Sequence, residues 1–385
     1  MPRTYSTTAA TAHQLQARVR DLFGGTPLDG LVGHFQYFIE ALTHCEGSQR
    51  DTGLASIGKT IEFYAALFGT SFRERFQVDS WLISDLAAQW SVSGARLSKT
   101  IIPAYAQQWS YSLLPLVGDA NRAPLEIYVI TFKGHDDLST AKLLDYSWLA
   151  HELGHHLLAK AGANYSQEVL AELGLFTTSL TRKSLADSGE LRVKTRQLVE
   201  SLRTYWTPTV NTNDWAHEIA VDVIALWTCG PAFLAAMQDV LEQDGVDPYE
   251  ITLGHPPYEV RAKVLVEVSE ALGWEQEARP IESLLEKWKQ STNATRRTNA
   301  YLTLTADTLS GACGGLALRA CKAWGLPQCT AALVSRVTKK YEQEASFDTA
   351  TELILAAWLA YERSRDRYPG WEAQVLKRLA EEIKP

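Results

Sequence analysis

The chain has 385 residues, 46% hydrophobic and 21% charged, with a formal net charge of −8. That length exceeds what one core usually serves and predicts two or three domains, or one elaborated domain. The acidic balance, with no basic run of five or more residues, excludes binding nucleic acid through clustered cations.

The pairs Arg296-Arg297 and Lys339-Lys340 read as solvated helix faces. Residues Met1 to Gln14 are polar and carry no apolar core of the kind a signal peptide needs. The longest apolar stretches, such as Leu353 to Tyr361, are too short to span a bilayer. Five scattered cysteines fit reduced thiols in the cytoplasm better than a disulfide framework. The eight-residue spacing of Cys313, Cys321 and Cys329 is no familiar ligand spacing.

Along the chain, Leu31–Leu42, Ile57–Phe68 and Trp81–Trp90 carry apolar residues at helical spacing. Leu125 to Phe132 is short, rich in Ile, Val, Tyr and Phe, and stops at Lys133-Gly134, which predicts a strand. That strand would serve equally as an internal strand or as an edge pairing with an extended substrate. A helix is predicted from Ser139 or Thr140 to Gly162, and another from a cap at Asn213 or Asp214 to Cys229. Gly230-Pro231 ends the latter and opens the next helix. The loop Leu253 to Pro257 leads into a helix from Tyr258 to Gly273, and helical sequence resumes at Asn299. Three regions are expected: helical 1–110, catalytic 111–290 and helical 291–385.

Chemistry concentrates in His151-Glu152-Leu153-Gly154-His155. On a helix, histidines four apart share one face one turn apart and can grip a single ion. Glu152 lies where it can take a proton from a water that the ion has acidified. With 9 His in the chain, random order gives this pattern about 0.015 times. Leu149, Leu153 and Leu157 form a stripe fixing one side of the helix to a core. Gly154, which costs about 1 kcal/mol relative to Ala inside a helix, points to close approach of a neighbouring backbone.

A catalytic zinc usually has a third protein ligand. Glu218 is the best candidate, with His217 the alternative; the two point about 100° apart on a helix. Asp222, one turn after Glu218, would accept from the imidazole N–H of a liganding histidine. His156 points away from His155 and reads as structural. Tyr258 reads as half-buried packing or as an oxyanion donor.

The pair His151-Glu152-Leu153-Gly154-His155 and Glu218-Ile219-Ala220-Val221-Asp222 resembles the gluzincin metallopeptidases. His255-Pro256-Pro257 with Arg261 is similar to the His-Pro and Arg pattern of the branch that includes the prenyl-protein (CaaX) proteases. Val221 stands where that pattern has Ala. The resemblance implies zinc ligands His151, His155 and Glu218, with Glu152 as general base. It implies Asp222 as the partner of His151, and a supporting or oxyanion-stabilising role for His255 or Arg261. It also implies a mainly α fold with a small β-sheet: a zincin-like α+β catalytic core flanked by helical regions. The expected activity is zinc-dependent hydrolysis of a peptide or protein substrate. Hydrolysis of a non-peptide amide or ester at the same site, or a binding protein with a relict zincin domain, are the alternatives.

Overall fold

The computed structural model describes residues 5–23, 73–92, 95–96, 101–106, 110–114, 127–133, 142–184, 189–209, 214–242, 247–291 and 295–382. The helices predicted at 31–42 and 57–68, and the caps at Ser139, Thr140 and Asn213, lie outside them. The chain divides into two compact units. One comprises residues 1–84, 98–138 and 376–385; the other comprises 85–97 and 139–375.

The described helices are α1 (Tyr5–Phe23), α2 (Arg73–Gln89), α3 (Ser147–Ala161), α4 (Ala163–Ser184), α5 (Gly189–Trp206), α6 (Trp215–Cys229) and α7 (Pro231–Leu241). They continue with α8 (Tyr258–Leu272), α9 (Glu275–Gln290), α10 (Asn299–Leu304), α11 (Asp307–Trp324), α12 (Ala331–Glu342), α13 (Ala350–Arg363) and α14 (Tyr368–Glu382).

The expected α+β core is corrected by this arrangement. Where side chains are described, the chain is 82% helical with no strand or sheet. The strands Ile101–Ala106, Ser110–Leu114 and Ile127–Lys133 pair in a three-stranded sheet with 127–133 in the middle, and they fall in the first unit, not in the unit of the motif helix. The motif helix belongs to the second unit, and helices surround it. The physical reason lies in α6. All fifteen of its residues are buried, and apart from His217, Thr228 and the site groups Glu218 and Asp222 they are apolar. A helix buried on every side is the centre of a core. α3, α8 and α11 pack directly against it.

Local signals set the helix ends. The Asp214 side chain accepts from the His217 amide at 3.1 Å and caps α6, as the sequence predicts. Pro231 is the first residue of α7, where its missing N–H costs nothing. Gly273 closes α8 at φ 81°, a left-handed conformation that favours glycine. α3 starts later than expected: residues Leu143–Tyr146 form a 3-10 turn, and the α-helix begins at Ser147.

Residues Ser147 to Leu158 of α3 are all buried, and Leu149, Leu153 and Leu157 are at most 1% exposed. The contact between α3 and α6 is close at Gly154. A Cβ placed there would lie 2.9 Å from Val221 Cγ1 and 3.4 Å from Val221 Cα. Glycine thus makes the room that the larger Val221 needs. Gly154→Ala is expected to destabilise the protein by about 1–2 kcal/mol, an overpacking cost reduced by alanine's better helix propensity. Thermal unfolding measures this, and adding Val221→Ala should restore most of the loss.

Candidate metal centre

α3 brings His151 and His155 to one face, and α6 sets Glu218 opposite them. His155 Nε2 is 3.4 Å from Glu218 Oε1, and His151 Nε2 is 3.6 Å from Glu218 Oε2. One ligand atom from each residue lies within 4.8 Å of the others, and all three residues are buried. The two imidazole rings stand edge to face, with centroids 5.1 Å apart.

Behind this cluster lies a buried chain of charge. Arg261 on α8 donates from Nε to Asp222 Oδ2 and from Nη2 to Asp222 Oδ1, each at 2.7 Å. Burial pushes the Asp222 carboxyl up, but Arg261 and His151 outweigh it and hold the group below its ordinary range. An ionised carboxylate only accepts, so His151 Nδ1, at 2.9 Å, donates to Asp222 Oδ1. That orients the ring so that its Nε2 faces Glu218. Burial lowers His151, yet the bond and charge of Asp222 leave its pKa raised.

His155 differs. Burial drives it down to about 4, against the pull of Glu218, so it is neutral near pH 7. Its Nδ1 has no hydrogen-bond partner. Burial raises Glu218, but His155, His255 and His151 together pull it well below the carboxylate range. Glu152 is 6% exposed, and burial pushes its carboxyl up to about 7, with His151 opposing and Glu218 adding.

Each residue singled out in the sequence now has a place. His151, His155, Glu218, Glu152 and Asp222 come together. Arg261 is 6% exposed and bound to Asp222, with its guanidinium carbon 5.7 Å from the Trp148 ring centroid and 5.8 Å from that of Tyr258. Its role in the geometry is to hold Asp222, and Tyr258 packs against it. His255 lies on the loop before α8 with its side chain 64% exposed, and its Nδ1 is 3.0 Å from Glu218 Oε2.

His217, the alternative ligand, is committed elsewhere: Nδ1 is 2.8 Å from Asp214 Oδ2 and Nε2 is 3.2 Å from Ser166 Oγ. His156 is fully buried. Trp148 is a neighbour that sequence reasoning missed, edge-on to His151 at 5.3 Å. Its position three residues before His151, on the same helix face, was the available signal.

Among the described residues, His151, His155 and Glu218 are the group able to hold a metal ion. Their donors, two imidazole nitrogens and a carboxylate oxygen, are a set zinc accepts. Ligands about 2.05 Å from a tetrahedral zinc lie about 3.3 Å apart, close to the 3.4 and 3.6 Å seen here. The residues present therefore fit the ion. No protein-family description, curated protein or solved structure matches this chain. The resemblance to gluzincins accordingly rests on the motif residues.

Proposed function

We propose that this chain is a zinc-dependent metallopeptidase with a gluzincin-type site. The observation that carries this reading is the facing of His151 Nε2 and His155 Nε2 onto the two oxygens of Glu218 at 3.6 and 3.4 Å. Two imidazole nitrogens and a carboxylate that converge in this way are arranged as ligands sharing one cation would be. The spacing is long for a hydrogen bond and suits ligands sharing one ion. His155 Nδ1, buried without a hydrogen-bond partner, supports the same reading; such an atom is costly unless something else binds or compensates it.

A zinc ion held there would polarise a substrate carbonyl and acidify a nearby water. The rest is the work of the chain. Glu152 takes the proton from the attacking water at its carboxylate and passes it to the leaving amine. Asp222, clamped by Arg261, keeps the His151 ring in one tautomer and orientation.

Peptide and protein substrates are the proposed class, and non-peptide amides or esters are the second outcome of the same test. No described helix is long and apolar enough to cross a membrane. Cys229, Cys313, Cys321 and Cys329 are free and buried, which supports the cytoplasm as the proposed compartment.

Metal analysis of the purified protein should find about one zinc per chain. Glu218→Ala should lose most of it, while its folded helical spectrum persists. Digestion of a peptide library should show specific cleavage by the zinc-loaded wild type. Absence of zinc from protein prepared without chelators, or full zinc retention by Glu218→Ala, would overturn the assignment of the centre.

A further inference from the structure

We propose that Thr252 and Trp215 are positioning residues that hold His255 on the metal ligand Glu218. This rests on the reading of Glu218 as a ligand. His255 is 64% exposed and lies on the segment between α7 and α8, yet its Nδ1 is 3.0 Å from a carboxylate oxygen that is almost fully buried. An exposed side chain on a loop reaches one particular buried atom only if its backbone is fixed.

The fixing bonds are specific. Thr252 Oγ1 donates to the His255 carbonyl at 2.8 Å and itself accepts from the His255 amide at 3.2 Å. One hydroxyl thus closes the turn on both sides of the His255 backbone. The Thr252 carbonyl in turn accepts from Trp215 Nε1 at 2.9 Å. Trp215 is fully buried and is the first residue of α6, three before Glu218. The indole N–H therefore references the His255 turn to the helix that carries Glu218 and Asp222. After the turn, Pro256 and Pro257 are buried, and the Glu259 amide donates to the Pro248 carbonyl at 3.0 Å, closing the base of the segment.

The consequence is a restraint on Glu218. The His255 imidazole, 3.0 Å from Oε2, limits how far the Glu218 carboxylate can swing. Thr252 acts through His255, and Trp215 acts through Thr252.

A double-substitution cycle reads this. The zinc-loaded protein is mixed with a chromophoric chelator and the rate of zinc loss is followed. Thr252→Val and His255→Ala should each speed the loss about three- to tenfold, the range set by one modest hydrogen bond. Combined, they should be no faster than His255→Ala alone, because both remove the same restraint. Thr252→Ser keeps the hydroxyl and should behave as wild type. Wild-type rates in Thr252→Val, or multiplied effects in the double variant, would overturn the proposal.

A second arm does not need the metal. Trp215→Phe removes the indole N–H without touching the His255 amide, yet hydrogen exchange at that amide should quicken about three- to tenfold. Exchange in α11 serves as the control for global stability. An unchanged His255 amide with an intact α11 would refute the clamp. A wild type that takes up no zinc would instead refute the assigned centre and leave this exchange result to judge the clamp.

Discussion

Glu152→Gln is expected to lower hydrolysis by about a thousandfold while leaving zinc content unchanged. The glutamine keeps the shape of the side chain and its place on α3, but it cannot accept a proton. Glu152 is not one of the three converging ligand residues, so zinc retention separates loss of the base from loss of the site. The comparison is made by single-turnover cleavage of whichever library peptide the wild type cuts, together with metal analysis of both proteins. Near wild-type cleavage by Glu152→Gln would remove Glu152 from the proton-transfer role.

The same substitution has a second signature in the metal-free protein. Burial raises the Glu152 carboxyl from 4.5 to about 7. A carboxyl raised on folding is held neutral, so the folded state loses stability as pH rises from 4.5 through about 7. The difference of 2.5 pH units corresponds to about 3 kcal/mol. Glutamine does not titrate. Relative to wild type, Glu152→Gln should therefore gain up to about 3 kcal/mol between about pH 4.5 and pH 8. His155, lowered to about 4 by burial, shifts stability in the opposite sense. It is present in both proteins and cancels in the comparison. Urea unfolding in the presence of a chelator at several pH values measures the gain, and a difference that stays flat with pH would show that Glu152 ionises freely when folded.

Much of the site was legible because it lies on two helices. Helical periodicity alone places His151 beside His155 and Glu218 one turn before Asp222. The cap at Asp214 and the stop at Gly230-Pro231 give the register of α6. Gly154 pointed to a close neighbour, but that the neighbour is α6 at Val221 is visible only in three dimensions. The fold around the site was less legible. The apolar run at 125–132 has strand composition, and a strand ahead of a motif helix invites a shared layer. Local pattern does not encode which unit a strand joins, and 127–133 falls in the other unit. The apolar sequence of α6 says that the helix is buried, but not that the elements around it are helices. Arg261 was similarly ambiguous. A cation one turn into a helix looks solvated until the carboxylate it serves, 39 residues earlier, is brought against it.

Arg261→Met is the change expected to cost most stability. Asp222 is 1% exposed, and Arg261 supplies two of its charged hydrogen bonds. Methionine fills much of the arginine volume but leaves a buried carboxylate with His151 as its remaining partner among those bonds. Removing one member of a buried ion pair typically costs about 3–5 kcal/mol, and equilibrium unfolding of the metal-free protein should show a loss of that size. Adding Asp222→Asn removes the stranded charge and should recover most of it, since a neutral amide can still accept from His151 Nδ1. Metal affinity should respond differently. In the double variant His151 keeps a hydrogen-bond acceptor but loses the negative charge that makes it a better ligand, so zinc affinity should remain about 10- to 100-fold below wild type. Stability restored with affinity still reduced would show that the Arg261–Asp222 pair tunes the ligand as well as holding the fold. Full recovery of both would show that the charge serves packing alone, and no stability loss in Arg261→Met would mean that Asp222 gains solvent or a proton when its partner is removed.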